Sequence, residues 1–262
     1  MREQAQGEGD RVTPPRYEVI GITGLPEIRN GDDLGPLIVE AAVSQGTALR
    51  EGDLLVVSQK VVSKSEGRVV PLADVTPSPA ALAMARELAK DARLVELILR
   101  ESRRVVRMDK GILIVETHHG WICANGGVDQ SNVDLDSASL LPEDPDRSAR
   151  ALRERIHGLT GVDAAVIISD TFGRPWREGL TNVAIGVAGL APIRNYLGAQ
   201  DPAGHTLQAT LLAVADELAG AAEPVMGKLN RVPVTIIRGL PFERGEDTSK
   251  ALLRDPSRDL FR

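Results

Sequence analysis

Cysteine is nearly absent from this chain of 262 residues: Cys123 is the only one, so no disulfide forms within it, and a reducing cytoplasm is the compartment that fits. Long apolar runs are absent too. Nothing approaches the ~18 residues of a membrane span. Residues 1–16, polar and acidic with two prolines, lack the apolar core of a signal peptide and read as a disordered tail. Positive charge is not in excess: Lys and Arg number 31 against 37 Asp and Glu, a net charge of −6, which argues against a nucleic-acid partner. Neither a P-loop nor a Rossmann glycine fingerprint occurs, so any nucleotide is held by another arrangement. There are no repeats and no low-complexity segments. What is left is a globular composition, long enough for one large or two modest domains. An acidic chain that handles anionic substrates needs local cations, from a metal or an Arg cluster.

What the chain does contain is a series of short apolar runs, punctuated by glycine, asparagine and aspartate. Residues 17–23 alternate and are β-branched, which predicts a strand ending at Gly24-Leu25-Pro26-Glu27-Ile28. Asn30-Gly31-Asp32-Asp33 predicts a helix start, with Leu34, Leu37, Ile38 and Ala41 on one face. Leu54-Leu55-Val56-Val57 predicts a buried strand. Beyond it, Lys60 and Lys64 share a face only if their segment is helical; otherwise they are two solvated lysines. Spacing predicts helix over 78–104, 146–158 and 207–222. Residues 111–117 and 121–124 predict strands joined by a turn at His118-His119-Gly120. Adjacent strand residues face opposite ways, so that pair reads as a turn rather than a metal site. Residues 232–239 predict a last strand, placed at an edge by Pro233. Beyond Leu240 the chain is charged, with Phe261 as its one expected tether.

Chemistry concentrates in two places. Residues 164–168 read as a buried strand that opens at Ser169 into a loop carrying Asp170 and Thr171, hard oxygen donors suited to Mg²⁺ or Mn²⁺. Arg174 and Arg177 follow, placed to clamp phosphate or carboxylate oxygens. The same residues also suit a strand closed by an Asx-turn with Arg on the surface. A second strand empties into Asn125-Gly126-Gly127-Val128-Asp129-Gln130-Ser131-Asn132, where two glycines permit close backbone approach to a ligand. Asp129 and Asp170 together would hold a divalent cation if their two loops meet.

Four motifs in this order, Gly24-Leu25-Pro26-Glu27-Ile28, Ser63-Lys64-Ser65-Glu66-Gly67-Arg68, the Asn125–Asn132 run and Ser169-Asp170-Thr171-Phe172-Gly173-Arg174, resemble the coenzyme F420-0:L-glutamate ligase (γ-glutamyl ligase) family. The resemblance runs from about residue 17 to about residue 240. It implies a mixed α/β (α+β) fold of two interleaved subdomains over 17–245, with 246–262 as a C-terminal tail, in an intertwined homodimer. It implies a cytoplasmic enzyme that uses GTP, with Mg²⁺ or Mn²⁺ and helped by K⁺, to join L-glutamate to coenzyme F420-0. Carried over by position, Leu25, Pro26, Glu27, Ile28, Gln59, Lys60, Lys64 and Asn132 would contact GTP. Asp129 and Asp170 would hold one metal and Thr171 a second. Met226, Gly227, Lys228, Leu229, Asn230 and Arg231 match a further GTP-contacting loop, though with less glycine than that family's pattern.

The implied chemistry suits these residues. Amide formation from a carboxylate needs a better leaving group than hydroxide, and phosphorylation by GTP supplies one. Such a transfer needs positioning and charge neutralisation more than covalent help. Lys64 and Arg174 are the side chains expected to take part directly, Arg174 by gripping the glutamate or the phosphodiester. The motifs serve an acceptor such as a folate equally well, and a non-catalytic metal- or nucleotide-binding module is the reading from another class.

Overall fold

The structure is a computed structural model and describes residues 14–259; most of the expected N-terminal tail and Phe261 lie outside the described residues. In chain order the main elements begin with β1 (Glu18–Ile22), α1 (Leu34–Ser44), β2 (Leu54–Ser58), α2 (Gln59–Ser65) and β3 (Val69–Pro71). Next come α3 (Pro79–Leu88), α4 (Ala92–Arg100), β4 (Ser102–Asp109), β5 (Ile112–Thr117), β6 (Ile122–Ala124) and β7 (Ser137–Ser139). The remainder are α5 (Pro145–Thr160), β8 (Ala165–Arg174), β9 (Arg177–Ala188), β10 (Arg194–Asn195), β11 (Leu211–Leu212), α6 (Val214–Met226) and β12 (Val234–Arg238).

The largest sheet has five strands in the order β1-β12-β2-β8-β9. Its strands pair antiparallel except β2 and β8, which run parallel from Leu54 beside Ala165 to Ser58 beside Ser169. A parallel pair cannot be joined by a hairpin. Everything from α2 to α5 forms the long crossover between them. Alternation then sorts the side chains. Leu55, Val57, Val166, Ile168, Val234 and Ile236 face a core completed by α1 and α5. Leu54, Val56, Ala165, Ile167 and Ile237 face a second core under α6. Covered on both faces, these strands carry the unbroken apolar runs that the sequence shows. Each fully buried Leu, Ile or Val contributes about 1.5–3 kcal/mol. At β9 the covering is so close that a Cβ on Gly186 would lie 2.3 Å from the Pro145 carbonyl oxygen of α5.

The crossover builds a second group of elements. The sheet β4-β5-β6 packs with α3 and α4 around Leu88, Val95, Ile98, Leu113 and Val115. A single helix over 78–104 does not form. Ala89 adopts a left-handed conformation that ends α3, Asp91 caps α4 through its side chain, and Ser102 already starts β4. Three other expectations are corrected. Residues 207–213 are turn and short strand, so the last long helix starts at Val214 and ends at Met226. Pro233 precedes β12 without putting it at an edge: β12 lies between β1 and β2, and the Pro233 carbonyl accepts from Ser58 N at 2.8 Å. The residues from Ser169 to Arg174 are not a loop. They prolong β8, paired with β9 as far as Arg174 beside Arg177.

The charged C-terminal segment is fastened within the described residues. Ser249 is buried, and Asp146 of α5 accepts from both its backbone N–H and its hydroxyl at 2.9 Å. The same carboxylate accepts from Val187 N of β9 at 2.9 Å, so one buried side chain joins the helix, the sheet edge and the C-terminal segment. Among the described residues no helix is long and apolar enough to cross a membrane.

Candidate active site

Because β2 and β8 are parallel neighbours paired as far as Ser58 beside Ser169, the residues that follow those two serines emerge in one place. Crevices at the carboxyl ends of strands are where open α/β sheets bind ligands. After Ser58 the chain turns at once into α2, with the Ser58 hydroxyl accepting from Lys60 N. The helix settles the question about the two lysines: Lys60 and Lys64 share a face, both are mostly buried, and each meets a carboxylate. Lys64 Nζ pairs with Glu27, which ties the Ser63–Arg68 motif to the Leu25–Ile28 loop. Lys60 Nζ donates to Asp129 Oδ2 at 2.5 Å and to the Ser131 carbonyl and hydroxyl oxygens at 2.7 Å.

The loop that brings Asp129 is built to one shape. Asn125 and Gly127 both sit at positive φ. At Gly127 (φ +73) a Cβ would fall 2.6–2.8 Å from the side chain of Leu141, so conformation and space both exclude other residues. Lys90 donates to Asn125 Oδ1 at 2.9 Å, and burial holds its ammonium below the usual lysine range. Beyond the turn, Asp129 pairs with Ser139 through backbone bonds of 3.0 and 2.8 Å. Its carboxylate accepts from Ser131 N at 2.8 Å and from the Ser131 hydroxyl at 2.6 Å. Burial pushes the Asp129 carboxyl up, but the bonds from Lys60 and Ser131 outweigh it and leave the group below the ordinary aspartate range.

Asp170 has no side-chain partner of this kind among the described residues. Burial, the largest influence, pushes its carboxyl up to about 6. The Thr171 backbone N–H bonds to it and lowers it. The charges of Lys60 and Lys228 pull it down and that of Asp129 pushes it further up, so all three groups lie within reach of Asp170. The same enclosure, followed by the Asp170 charge, raises the Cys123 thiol to about 12. Thr171, next along the strand, points to the opposite face. Its hydroxyl donates to Asn182 Oδ1 at 2.8 Å and accepts from Lys228 Nζ at 2.5 Å. Asn182 in turn donates from Nδ2 to Glu223 Oε2 at 2.8 Å.

The remaining expected residues are spread more widely. Leu25 packs against the main core, Ile28 lies inside it, and Pro26 and Glu27 are exposed. Gln59 is buried, with its Oε1 accepting from Ser63 at 2.8 Å. Asn132 is exposed at φ 54. Met226 closes α6 within the second core and Gly227 turns the chain out of the helix, leaving Lys228, Leu229, Asn230 and Arg231 exposed. Arg174 and Arg177 sit opposite each other at the tip of the β8–β9 ribbon, where Arg174 Nη2 donates to the Glu178 carbonyl at 3.1 Å. The histidine pair is in a turn, bonded to backbone carbonyls of Arg100, Pro142 and Glu143. Sequence reasoning missed Asn182, Glu223 and Lys90. Only the strand register puts Asn182 across from Thr171, so no local signal marks it.

The sequence profile of the F420-0:Gamma-glutamyl ligase family matches residues 23–239, and so spans all these groups. The chain belongs to that family. A ligase named "Coenzyme F420:L-glutamate ligase" from Methanothermobacter thermautotrophicus is 46% identical over 247 residues, 93% of this chain and 98% of its own length. Those of the same name from Methanopyrus kandleri (46% over 241 residues, 90% and 94%) and Methanocaldococcus jannaschii (38% over 250 residues, 94% and 97%) are similar over nearly the same span. Among this ligase family member's described residues no three His, Cys, Asp or Glu side chains form a ready metal cluster. The donor set nevertheless fits a hard cation. Asp129 and Asp170 lie within reach of one another's charge, the Thr171 hydroxyl stands on the opposite face, and lysine ammoniums already stand against Asp129 and Thr171.

Proposed function

We propose that this chain is a GTP-dependent ligase that joins L-glutamate through its amine to the carboxylate of coenzyme F420-0 by way of an acyl phosphate, any further glutamate being joined to the γ-carboxylate of the one before. The observation that carries the reading is that residues of four family motifs gather where β2 and β8 part company beyond Ser58 and Ser169, through Lys64–Glu27 and through the bonds of Lys60 to Asp129 and of Lys228 to Thr171. An oxygen of the acceptor carboxylate attacks the γ-phosphorus of GTP, and the bond to the β,γ-bridging oxygen breaks as GDP leaves. The glutamate amine then attacks the acyl carbon, phosphate leaves with the carbon–oxygen electron pair, and the nitrogen gives up a proton.

Little covalent chemistry falls to the protein; the demand is to gather several anions on a chain of net charge −6 and to neutralise the transferring phosphoryl group. Asp129 and Asp170 would hold one divalent cation and Thr171 a second, Mg²⁺ or Mn²⁺, and such ions supply charge neutralisation at the phosphate oxygens. K⁺ adds to activity as a further cation. Lys60, Lys64 and Lys228 orient the phosphates, the Leu25–Ile28 loop, Gln59, Asn132 and the 226–231 loop hold the rest of the nucleotide, and Arg174 grips an acceptor or glutamate anion. The enzyme works as a homodimer. Support for that comes from the projecting β8–β9 ribbon, whose Trp176 and Leu180 are 81% and 67% exposed.

Incubation of the protein with F420-0, L-glutamate, GTP and Mn²⁺, followed by mass spectrometry, tests the reading. The expected result is F420-0 heavier by one or more glutamyl residues and a matching yield of GDP. No mass gain on F420-0, with glutamylation of a folate under the same conditions, overturns the choice of acceptor. GDP formation that does not depend on any acceptor overturns the ligase reading.

A further inference from the structure

On the α6 side of β8, the donors of one hydrogen-bonded chain all point the same way. Lys228 Nζ donates to Thr171 Oγ1 at 2.5 Å, Thr171 Oγ1 to Asn182 Oδ1 at 2.8 Å, and Asn182 Nδ2 to Glu223 Oε2 at 2.8 Å. A carboxylate can only accept. Glu223 therefore fixes which end of the Asn182 amide faces it, and the other end, the carbonyl oxygen, is turned on Thr171. That in turn fixes the Thr171 hydroxyl proton, directed inward to Asn182. The outward side of Oγ1 is left with lone pairs alone, and it takes a cationic donor, Lys228. Asn182 is 5% exposed and both ends of its amide are engaged, so no spare partner lets it flip. Lys228 itself is exposed, on a loop, and its only carboxylate neighbour in this chain of bonds is Glu223 at 3.8 Å.

We propose that Asn182 and Glu223 are positioning residues that hold Thr171 Oγ1 as a pure acceptor, so that it binds a divalent cation in exchange for the Lys228 ammonium. This rests on the ligase reading for its purpose, but the relay itself is a property of metal binding and is measurable without substrates. Residues that orient a ligand from behind typically change metal affinity by about 10–100-fold when removed.

Titration of the purified protein with Mn²⁺, followed by electron paramagnetic resonance in the absence of nucleotide, tests it, with Thr171→Val as the reference for loss of this site. Glu223→Ala and Asn182→Leu are each expected to weaken the Thr171-dependent Mn²⁺ binding about tenfold. Asn182→Leu should not weaken binding further once Thr171→Val is present, because Asn182 reaches the ion only through Thr171, whereas Glu223 Oε1 also lies 3.8 Å from the Lys228 ammonium that the ion replaces. Glu223→Gln, whose carbonyl still accepts from Asn182, is expected to restore most of the affinity. Thermal melting of each variant separates loss of the ion from loss of the fold, and Glu223→Ala carries the test if Asn182→Leu fails to fold. Affinity unchanged in Glu223→Ala, an effect of Asn182→Leu that adds to Thr171→Val, affinity unchanged in Asn182→Leu, or wild-type protein that takes no Mn²⁺ would each overturn the relay. Mn²⁺ bound through the relay by a protein that makes no glutamylated F420-0 leaves the relay standing and overturns the function proposed above.

Discussion

The two faces of β8 beyond Ser169 differ in how they meet positive charge. On one face a carboxylate, Asp129, is paired directly with Lys60, while Asp170 is enclosed and has, among the described residues, no ion-pair partner in contact. On the other face a neutral hydroxyl, Thr171, meets Lys228, and the carboxylate of Glu223 stands behind an amide. Adjacent residues of one strand thus meet different partners, because alternation sends them to opposite sides. The first face carries a surplus of negative charge that a cation would relieve. The second offers a polarised oxygen whose charge compensation is held at a distance. Asp170 and Thr171 are neighbours in sequence with different surroundings, and each variant below strains chiefly one of the two faces.

The largest effect is expected from Asp170→Asn. Removing the enclosed carboxylate takes away the charge that would hold the ion, and GTP-dependent ligation should fall by about a hundredfold or more, with the fold intact by circular dichroism. Activity recovered at saturating Mn²⁺ would show that the carboxylate is dispensable and that the first face is not a metal site. Next is Lys60→Met, which leaves Asp129 without its partner. We expect ligation to fall about tenfold to a hundredfold while substrate-free Mn²⁺ binding tightens, since a competing ammonium is gone. Weaker Mn²⁺ binding in this variant would mean that Lys60 organises the loop rather than competing for it. Lys228→Ala strains chiefly the second face, though its charge also reaches Asp170. It should raise the KM for GTP several-fold and move kcat less, because an exposed ammonium contributes about 1 kcal/mol. An equal fall in kcat and kcat/KM would instead place Lys228 on the transferring phosphoryl group.

Much of this arrangement was legible in the sequence, for reasons that the two faces make plain. The strands β2 and β8 announce themselves because burial on both sides demands unbroken apolar runs, and Asp129 and Asp170 stand out as carboxylates with no local reason to follow such runs. Ser58 capping α2 turns Lys60 and Lys64 onto one face, as helical spacing requires. What sequence does not carry is register. Asn182 faces Thr171 only because β9 folds back with a bulge between Ile168 and Ser169, and Glu223 reaches Asn182 only because α6 covers that face. The ribbon was misread for a similar reason. The segment from Ser169 to Arg174 is polar and glycine-containing, which reads as loop, yet its backbone groups are satisfied by β9. Ala89, an alanine in a left-handed conformation, gives no warning that it ends α3.

The smallest effect is one of stability, and it separates the faces by pH. The Asp170 carboxyl titrates at about 6 in the folded protein against an ordinary 3.8, chiefly through burial. A raised carboxyl is unfavourable to the fold only when ionised. Its cost is absent well below the unfolded value, grows as pH rises between the two, and is complete above about 6. In chelator-treated protein Asp170→Asn, neutral throughout, should therefore melt higher than wild type at pH 7–8 and equally near pH 3.5. The difference should be about 2–4 °C for each kcal/mol of burial cost relieved. Thr171→Val removes no charge and should show no such pH dependence. Saturating Mn²⁺ should reverse the order at pH 7–8, because ligand binding to the folded state stabilises wild type and finds no carboxylate in the variant. A melting difference that ignores pH would mean that Asp170 is felt through packing and not through its charge, and the contrast between the two faces would then rest on shape alone.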